Sequence, residues 1–300
     1  MPGVSKYNAR EIRDLLARGE NIVDWVQGRE KTDFISQAAI LYSYDAQAGS
    51  YVDVLKDAAA RELKQRLGKT LAALLDELQP RSLLEAGTGE GTSLAPILQH
   101  MRAAPSRVLG FDLSLSRLLF ARRHLAQNQC PNVELFCADL EHIPLASGSV
   151  DVMLTIHAVE PNRGREEEIL AELLRVTGRY LIMVEPSYEL ASDEARERMD
   201  RLGYVRGLRE TLERLGQPAK RFERWPHNSN PLNEAALIVV EKADTMKTEP
   251  VFISPVSGGR LVRRPDCWFS PDDGHAFPII AGIPCLTIDT AILASKLEAF

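Results

Sequence analysis

The sequence predicts an α/β chain. At its centre is a seven-stranded, mostly parallel sheet with helices on both faces, preceded by a helical N-terminal extension and followed by a small β-rich C-terminal module. Three observations predict it. Between residues 80 and 242 short apolar runs alternate with amphipathic stretches, the signature of strands linked by crossover helices. The first run ends in the glycine-rich turn Gly87-Thr88-Gly89-Glu90-Gly91. Beyond residue 250 the texture changes to short segments rich in Pro and Gly.

Residues 1–79 read as a helical cap or lid. Glu11–Leu16 and Ile22–Val26 are short helices. Tyr51–Leu78 is a longer one, with Val54, Leu55, Ala58, Leu63, Leu67, Leu71, Leu74, Leu75 and Leu78 at the helical period. Pro80 ends it. The α/β domain spans 80–242. Its strands are expected at Ser82–Glu85, Val108–Asp112, Val133–Cys137, Val150–Ile156 and Tyr180–Val184. An antiparallel edge, Phe222–Trp225 and Ala235–Val240, closes the sheet. Helices are expected at Ser93–Met101, Leu115–Gln127, Arg165–Val176, Ser192–Leu202 and Val205–Leu215. Lys242–Glu249 reads as a linker, 250–288 as the β module and 289–300 as a terminal helix.

Bulk composition excludes several classes. Of 300 residues, 45% are hydrophobic and 26% charged, ordinary for a globular chain. The net charge of −6 gives no broad basic field and argues against a nucleic-acid substrate. Arg163, Arg165, Arg206, Arg209, Lys220, Arg221 and Arg224 read as scattered solvated charges. No apolar run reaches the roughly 18 residues of a membrane span, and Met1–Arg13 lacks the apolar core of a secretory signal. The expectation is a cytoplasmic protein. Cys130, Cys137, Cys267 and Cys285 form no CxxC pair, so neither zinc site nor disulfide framework is signalled.

The glycine turn carries the first functional signal. Glycine allows the tight strand-to-helix turn and close approach of a ligand to the backbone. A dinucleotide fingerprint is G-x-G-x-x-G; here the third glycine comes one residue early, which demotes a nicotinamide oxidoreductase. With Glu85 before it, the loop resembles motif I of class I (Rossmann-like) S-adenosylmethionine-dependent methyltransferases. Asp112 ends the second strand, where a carboxylate can accept from ribose hydroxyls. Asp139 follows the third strand in Cys137-Ala138-Asp139-Leu140. Pro144 to Asp151 resembles the family's P-x-x-x-x-S-[FV]-D approach to motif IV. The resemblance implies S-adenosyl-L-methionine as cofactor, S-adenosyl-L-homocysteine as product and no metal. It implies a cofactor site of Glu85, Gly87, Thr88, Gly89, Asp112 and Asp139, with Leu113 and Leu140 as apolar walls. Tyr44-Asp45-Ala46-Gln47-Ala48-Gly49-Ser50-Tyr51 is similar to a Y-D-x-x-A-x-x-Y segment found before many small-molecule methyltransferase domains. It makes Tyr44 and Tyr51 lid residues, Tyr51 toward the cofactor and Tyr44 toward the acceptor.

Methyl transfer needs alignment of the nucleophile, and a base only where that nucleophile must lose a proton. Ligands in open α/β sheets lie beyond the carboxyl ends of the strands. His157, just after the fourth strand, is the candidate base because imidazole titrates near neutrality. Glu160, Glu185 and Tyr188 are candidate acceptor residues, and so are His227, Asn228 and Asn230 in a loop of amides before the last strand.

The C-terminal segment resembles the Trm112-like zinc-ribbon family, from Phe252-Ile253-Ser254-Pro255-Val256-Ser257-Gly258-Gly259 to Phe277-Pro278-Ile279-Ile280-Ala281-Gly282-Ile283-Pro284. The family's cysteine positions are Ser254, Ser257, Ser270 and Asp273, so all four thiolate ligands are missing, and Ser and Asp replace them poorly for zinc. The expectation is a retained β fold without metal, resting on Leu261, Trp268, Phe269, Phe277, Ile279, Ile280 and Ile283. Its role would be structural, or homodimer formation. The preferred function is methylation of a small polar metabolite such as a sugar, lipid precursor or secondary metabolite. An RNA or protein methyltransferase and a non-catalytic cofactor-binding scaffold are the alternatives.

Overall fold

The computed structural model describes residues 7–31, 35–228, 230–243 and 249–297. The extension contains α1 (Ala9–Ala17), α2 (Ile22–Glu30), α3 (Gln37–Ala46), α4 (Ser50–Val54) and α5 (Ala58–Leu78). The single helix expected over Tyr51–Leu78 is therefore two. Asp57 leaves helical geometry at φ −72°, ψ 133°, and its carboxylate accepts the Ala60 N–H at 2.9 Å. That is an N-cap, which starts a helix instead of continuing one. The apolar period runs through the break only because Val54 falls on the stripe; in the fold it is 58% exposed.

The central domain follows as β1 (Ser82–Ala86), α6 (Leu94–His100), β2 (Arg107–Asp112), α7 (Leu115–Gln127), β3 (Glu134–Cys137), β4 (Val150–Ile156), α8 (Glu166–Val176), β5 (Thr177–Pro186), α9 (Asp193–Arg201), α10 (Leu208–Arg214), β6 (Arg221–Arg224) and β7 (Ala235–Glu241). The strand order is β3-β2-β1-β4-β5-β7-β6. β1 to β5 pair in parallel, while β7 runs antiparallel to β5 and β6 to β7. β1 and most of β4 are buried on both faces, which explains their continuous apolar character. One core packs α8 and α10 on the sheet through Leu170, Leu173 and Leu212; the other packs α5, α6 and α7 through Leu71, Ile97 and Leu118. The order reverses between β1 and β4, which opens a crevice at their carboxyl ends.

Residues beyond 250 form a second sheet of β8 (Val262–Arg263), β9 (Cys267–Phe269), β10 (His275–Ile280), β11 (Ile283–Pro284) and β12 (Ile292–Leu293). It is not a separate body. Phe252 packs edge-on against Phe136 of β3 at 5.1 Å and against Trp268 at 5.0 Å. Cys285 pairs in parallel with Cys137, and the Leu286 N–H donates to the Cys137 carbonyl at 2.9 Å. The module thereby covers the edge strand β3 and shares the main core.

The terminal helix expected over 289–300 is absent among the described residues. Ile288–Thr290 is a single 3₁₀ turn and Ile292–Leu293 is a strand whose Leu293 and Ile292 pair with His275 and Ala276. The polar backbone at that edge of β10 needs partners, and this long-range demand outweighs local helix propensity. Residues 298–300 lie outside the described set. So do Ser229 and, within the expected linker, residues 244–248.

Candidate active site

The loop after β1 turns on Gly87, Gly89 and Gly91 at φ +69°, +55° and +72°, values L side chains rarely adopt. A Cβ on Gly87 would stand 2.4 Å from the Ala158 Cβ, so the turn cannot carry a side chain there without displacing the segment after β4. Beneath the turn the Thr88 hydroxyl donates to Glu85 Oε2 at 2.5 Å. Burial pushes the Glu85 carboxyl up to about 7, against the pull of Thr88 and the Lys64 charge. Asp112 accepts the Gly89 N–H on Oδ2 and the Ser114 N–H on Oδ1, both at 2.9 Å. Each oxygen keeps a lone pair for a ligand hydroxyl. Asp139 accepts the Glu141 N–H at 3.0 Å, and burial raises its pKa.

Glu85, Gly87, Thr88, Gly89, Asp112, Leu113, Asp139, Leu140 and Tyr51 all line one cavity of about 460 Å³. His157, Glu160, Tyr44 and His227 line the same space. Every residue expected to touch the cofactor is thus brought together.

The segment of α3 and α4 is tied to the motif loops. Glu90 accepts the Gly49 N–H at 2.8 Å and the Val52 N–H at 2.7 Å. The Ser114 hydroxyl donates to Asp45 at 2.7 Å. These bonds hold α3 and α4 over the glycine loop and place Tyr44 and Tyr51 at the wall.

His157 sits at φ +53°, an uncommon conformation for a non-glycine residue and one that clusters at functional sites. Its N–H donates to the Val184 carbonyl at 2.9 Å, and its Nδ1 meets Glu160 Oε2 at 2.9 Å. Burial disfavours the imidazolium, but the Glu160 hydrogen bond and the charges of Glu160 and Glu185 outweigh it, so the His157 pKa lies above the ordinary value. Lys64 pulls the other way. With Nδ1 committed to Glu160, Nε2 is the ring nitrogen left for a ligand.

Four expected acceptor residues stand elsewhere. Glu185 is fully buried beneath the cavity floor, where it accepts the Ala158 and Val159 N–H groups at 3.0 and 3.2 Å. Burial raises its pKa to about 7. It shapes the segment that carries His157 instead of facing a ligand. Tyr188 packs with α9, under the guanidinium groups of Arg196 and Arg206. Asn228 folds back on the Trp225 carbonyl and Glu234, and Asn230 caps the Leu232 N–H. Both amides serve their own turn; Asn233 is the loop's amide at the cavity.

Sequence reasoning missed Lys64, Arg117 and Glu90, which also line the cavity. A signal for the first two exists. Lys64 lies three residues before Leu67, on the stripe that buries Leu67, Leu71 and Leu75. Arg117 lies four before Ala121, on the stripe of Ala121 and Leu125. A charge on the buried face of an amphipathic helix marks a wall that meets a cavity.

The fold and this crevice define a class: an α/β domain with a ligand site at its topological switch point. The comparisons are more specific. A model of the methyltransferase domain family matches residues 83–179, the stretch from β1 through β4 and into β5. The chain is 32% identical over 133 residues to a malonyl-[acyl-carrier protein] O-methyltransferase of Methylovorus sp. (strain MP688), covering 42% of each chain. It is 33% identical over 100 residues to a tRNA N(3)-methylcytidine methyltransferase of Drosophila melanogaster, covering 31% of this chain and 30% of that one. The chain thus spans less than half the length of these curated relatives. Among solved structures, a magnesium protoporphyrin IX methyltransferase from Synechocystis PCC 6803 with bound S-adenosylhomocysteine is similar at 14% identity and a TM-score of 0.49, over 79% of this chain and all of that one. Among the described residues no group of His, Cys, Asp and Glu could hold a metal ion, and no helix is long and apolar enough to cross a membrane.

Proposed function

We propose that the chain is an S-adenosylmethionine-dependent methyltransferase that methylates an oxygen of a small polar metabolite, with His157 as general base. The observation that carries the proposal is convergence. The glycine loop, Asp112, Asp139 and the His157–Glu160 pair face one cavity at the carboxyl ends of β1 and β4. The residues present fit the cofactor. The cradle at Gly87 has no room for a Cβ, Asp112 and Asp139 keep acceptor capacity, and Glu85 offers a carboxylate to an ammonium group.

S-adenosylmethionine supplies, when bound, a methyl group on positively charged sulfur. The chain's own part is to position the acceptor, exclude water and take a proton. Glu160 fixes the imidazole and favours the imidazolium that forms when His157 Nε2 accepts the acceptor's hydroxyl proton. The tethered α3 and α4 close the cavity against solvent. The relatives named for O-methylation of a malonyl group support oxygen as the atom methylated. The missing thiolates at Ser254, Ser257, Ser270 and Asp273 leave the Trm112-like module a structural part that covers β3.

Calorimetric titration tests the cofactor reading: S-adenosylhomocysteine binds and NAD does not. Folded protein that binds neither sinks it. Release of S-adenosylhomocysteine in the presence of a metabolite extract, lost in His157→Ala, tests catalysis.

A further inference from the structure

We infer that the methyl acceptor is an acid, carrying a carboxylate or phosphate besides the group methylated, and that Arg117 anchors this anion. The inference rests on the methyltransferase reading above.

Arg117 projects from the first turn of α7 into the cavity wall, its side chain 11% exposed. Its guanidinium carbon lies 4.6 Å over the Tyr51 ring and 5.0 Å over the Tyr44 ring. Both rings belong to the tethered lid, so two aromatic faces hold the cation. It forms an ion pair with Asp112, whose Oδ2 is 3.7 Å away, too far for a hydrogen bond. Among the described residues the guanidinium makes no hydrogen bond, and its buried Nε has no partner. A guanidinium carries five donors, and buried polar groups are normally satisfied. An arginine held by aromatic faces, with its donors unmet at a cavity wall, is built for a ligand with acceptor oxygens.

Donor geometry narrows that ligand. The cavity wall holds a second cation, Lys64, whose half-buried Nζ donates to Ser93 Oγ at 2.8 Å and has no carboxylate at ion-pair distance among the described residues. Burial and the Arg117 charge make Lys64 harder to protonate, with Glu85 opposing. The cavity's carboxylates accept from other groups: Glu90 from the Gly49 and Val52 amides, Asp112 from the Gly89 and Ser114 amides, Asp139 from the Glu141 amide and Glu85 from Thr88, while Glu160 pairs with His157. None of them hydrogen-bonds the Arg117 fork. A carboxylate or phosphate presents paired oxygens that match the planar fork of an arginine.

The test uses the whole chain saturated with S-adenosylhomocysteine, at constant ionic strength set by sodium chloride. Inorganic phosphate and acetate are titrated separately while thermal stability is followed. Wild type shows a saturable rise with at least one of them, and the tighter ion identifies the group as phosphate or carboxylate. R117M weakens that response by about tenfold or more. R117K, which keeps the charge without the fork, weakens it less and carries the test should R117M not fold. K69M, an exposed lysine on α5, leaves it unchanged. No saturable response in wild type, or equal responses in wild type and both Arg117 variants, overturns the inference. So does a large loss of S-adenosylhomocysteine affinity in R117M or R117K with 5′-methylthioadenosine binding intact, because Arg117 would then hold the cofactor's own carboxylate. Failure of wild type to bind S-adenosylhomocysteine at all overturns the underlying reading instead, so the two failures are distinct.

Discussion

The cavity and the C-terminal module both bury polar groups, and they do so in opposite ways. At the cavity, capacity is left over: Asp112 has spare lone pairs, His157 a spare nitrogen and Arg117 unmet donors. At Asp273 in the module the capacity is consumed. Asp273 accepts the Ser254 hydroxyl at 2.7 Å on one oxygen, and the His275 N–H and Nδ1 at 2.9 and 3.1 Å on the other. Burial works against its charge, but hydrogen bonds from Ser257, Ser254 and the His275 N–H hold the carboxyl well below the usual range. Of the positions that resemble a metal-ligand set, Ser254 and Asp273 are now tied in a hydrogen-bonded knot. Unspent hydrogen-bonding capacity, more than buried polarity, separates a site from a staple.

The comparison breaks most visibly at His157. His157→Ala should lower kcat by about a thousandfold, within the range for a positioned acid or base, with S-adenosylhomocysteine affinity nearly unchanged. The pH profile supplies the sign. A base must be neutral to act, and the folded pKa of His157 is raised. The wild-type rate therefore climbs with pH through a value above the ordinary 6.5 and then levels. Stability runs the other way. The His157–Glu160 pair contributes fully below the unfolded pKa and is lost as pH rises through the folded one. The rate plateau thus lies where the pair no longer stabilises the fold. A rate with no acid limb in that region would remove His157 from its role.

Gly87→Val should come next. The added side chain meets Ala158 at a positive φ, so S-adenosylhomocysteine binding should weaken by about a hundredfold, close to 3 kcal/mol. Asp273→Ala should do the converse. It strands the buried Ser254 hydroxyl and removes the acceptor of the His275 N–H, at a cost of about 2–3 kcal/mol. Hydrogen exchange should accelerate over residues 252–277 while cofactor affinity stays within about twofold. If Asp273→Ala abolished cofactor binding, the two regions would not be separable and the contrast would fail.

How far this was legible depended on range. The strands of the central domain read directly, because β1 and β4 are buried on both faces and appear as unbroken apolar runs. The glycine loop read directly because its constraint is local: a positive φ at alternate residues. Glu85, Asp112 and Asp139 followed from their places at strand ends. Glu185 was placed at the correct strand end, but only packing shows that its carboxylate turns inward to the Ala158 and Val159 amides. Lys64 and Arg117 are each a charge on an otherwise apolar stripe, and only the tertiary fold shows that the stripe borders a cavity. β12 has no local pattern to report it, because its pairing with β10 is set by a hairpin and a 3₁₀ turn.

The finest test of the contrast lies between two serines of the knot. Ser254 Oγ donates to Asp273 and also accepts the Val256 and Ser257 N–H groups at 3.2 and 3.3 Å. Ser270 Oγ is equally buried and faces the same carboxylate without a well-formed bond to it. Removing the first leaves a buried carboxylate and two amides short of partners, and Ser254→Ala should cost about 1–2 kcal/mol. Removing the second takes away a poorly satisfied hydroxyl, a change that is close to neutral when no partner is orphaned. Ser270→Ala should therefore shift stability by less than about 0.5 kcal/mol, and urea unfolding of the two variants measures the difference. Equal losses would mean that Ser270 shares the carboxylate fully and that the knot closes over all four positions.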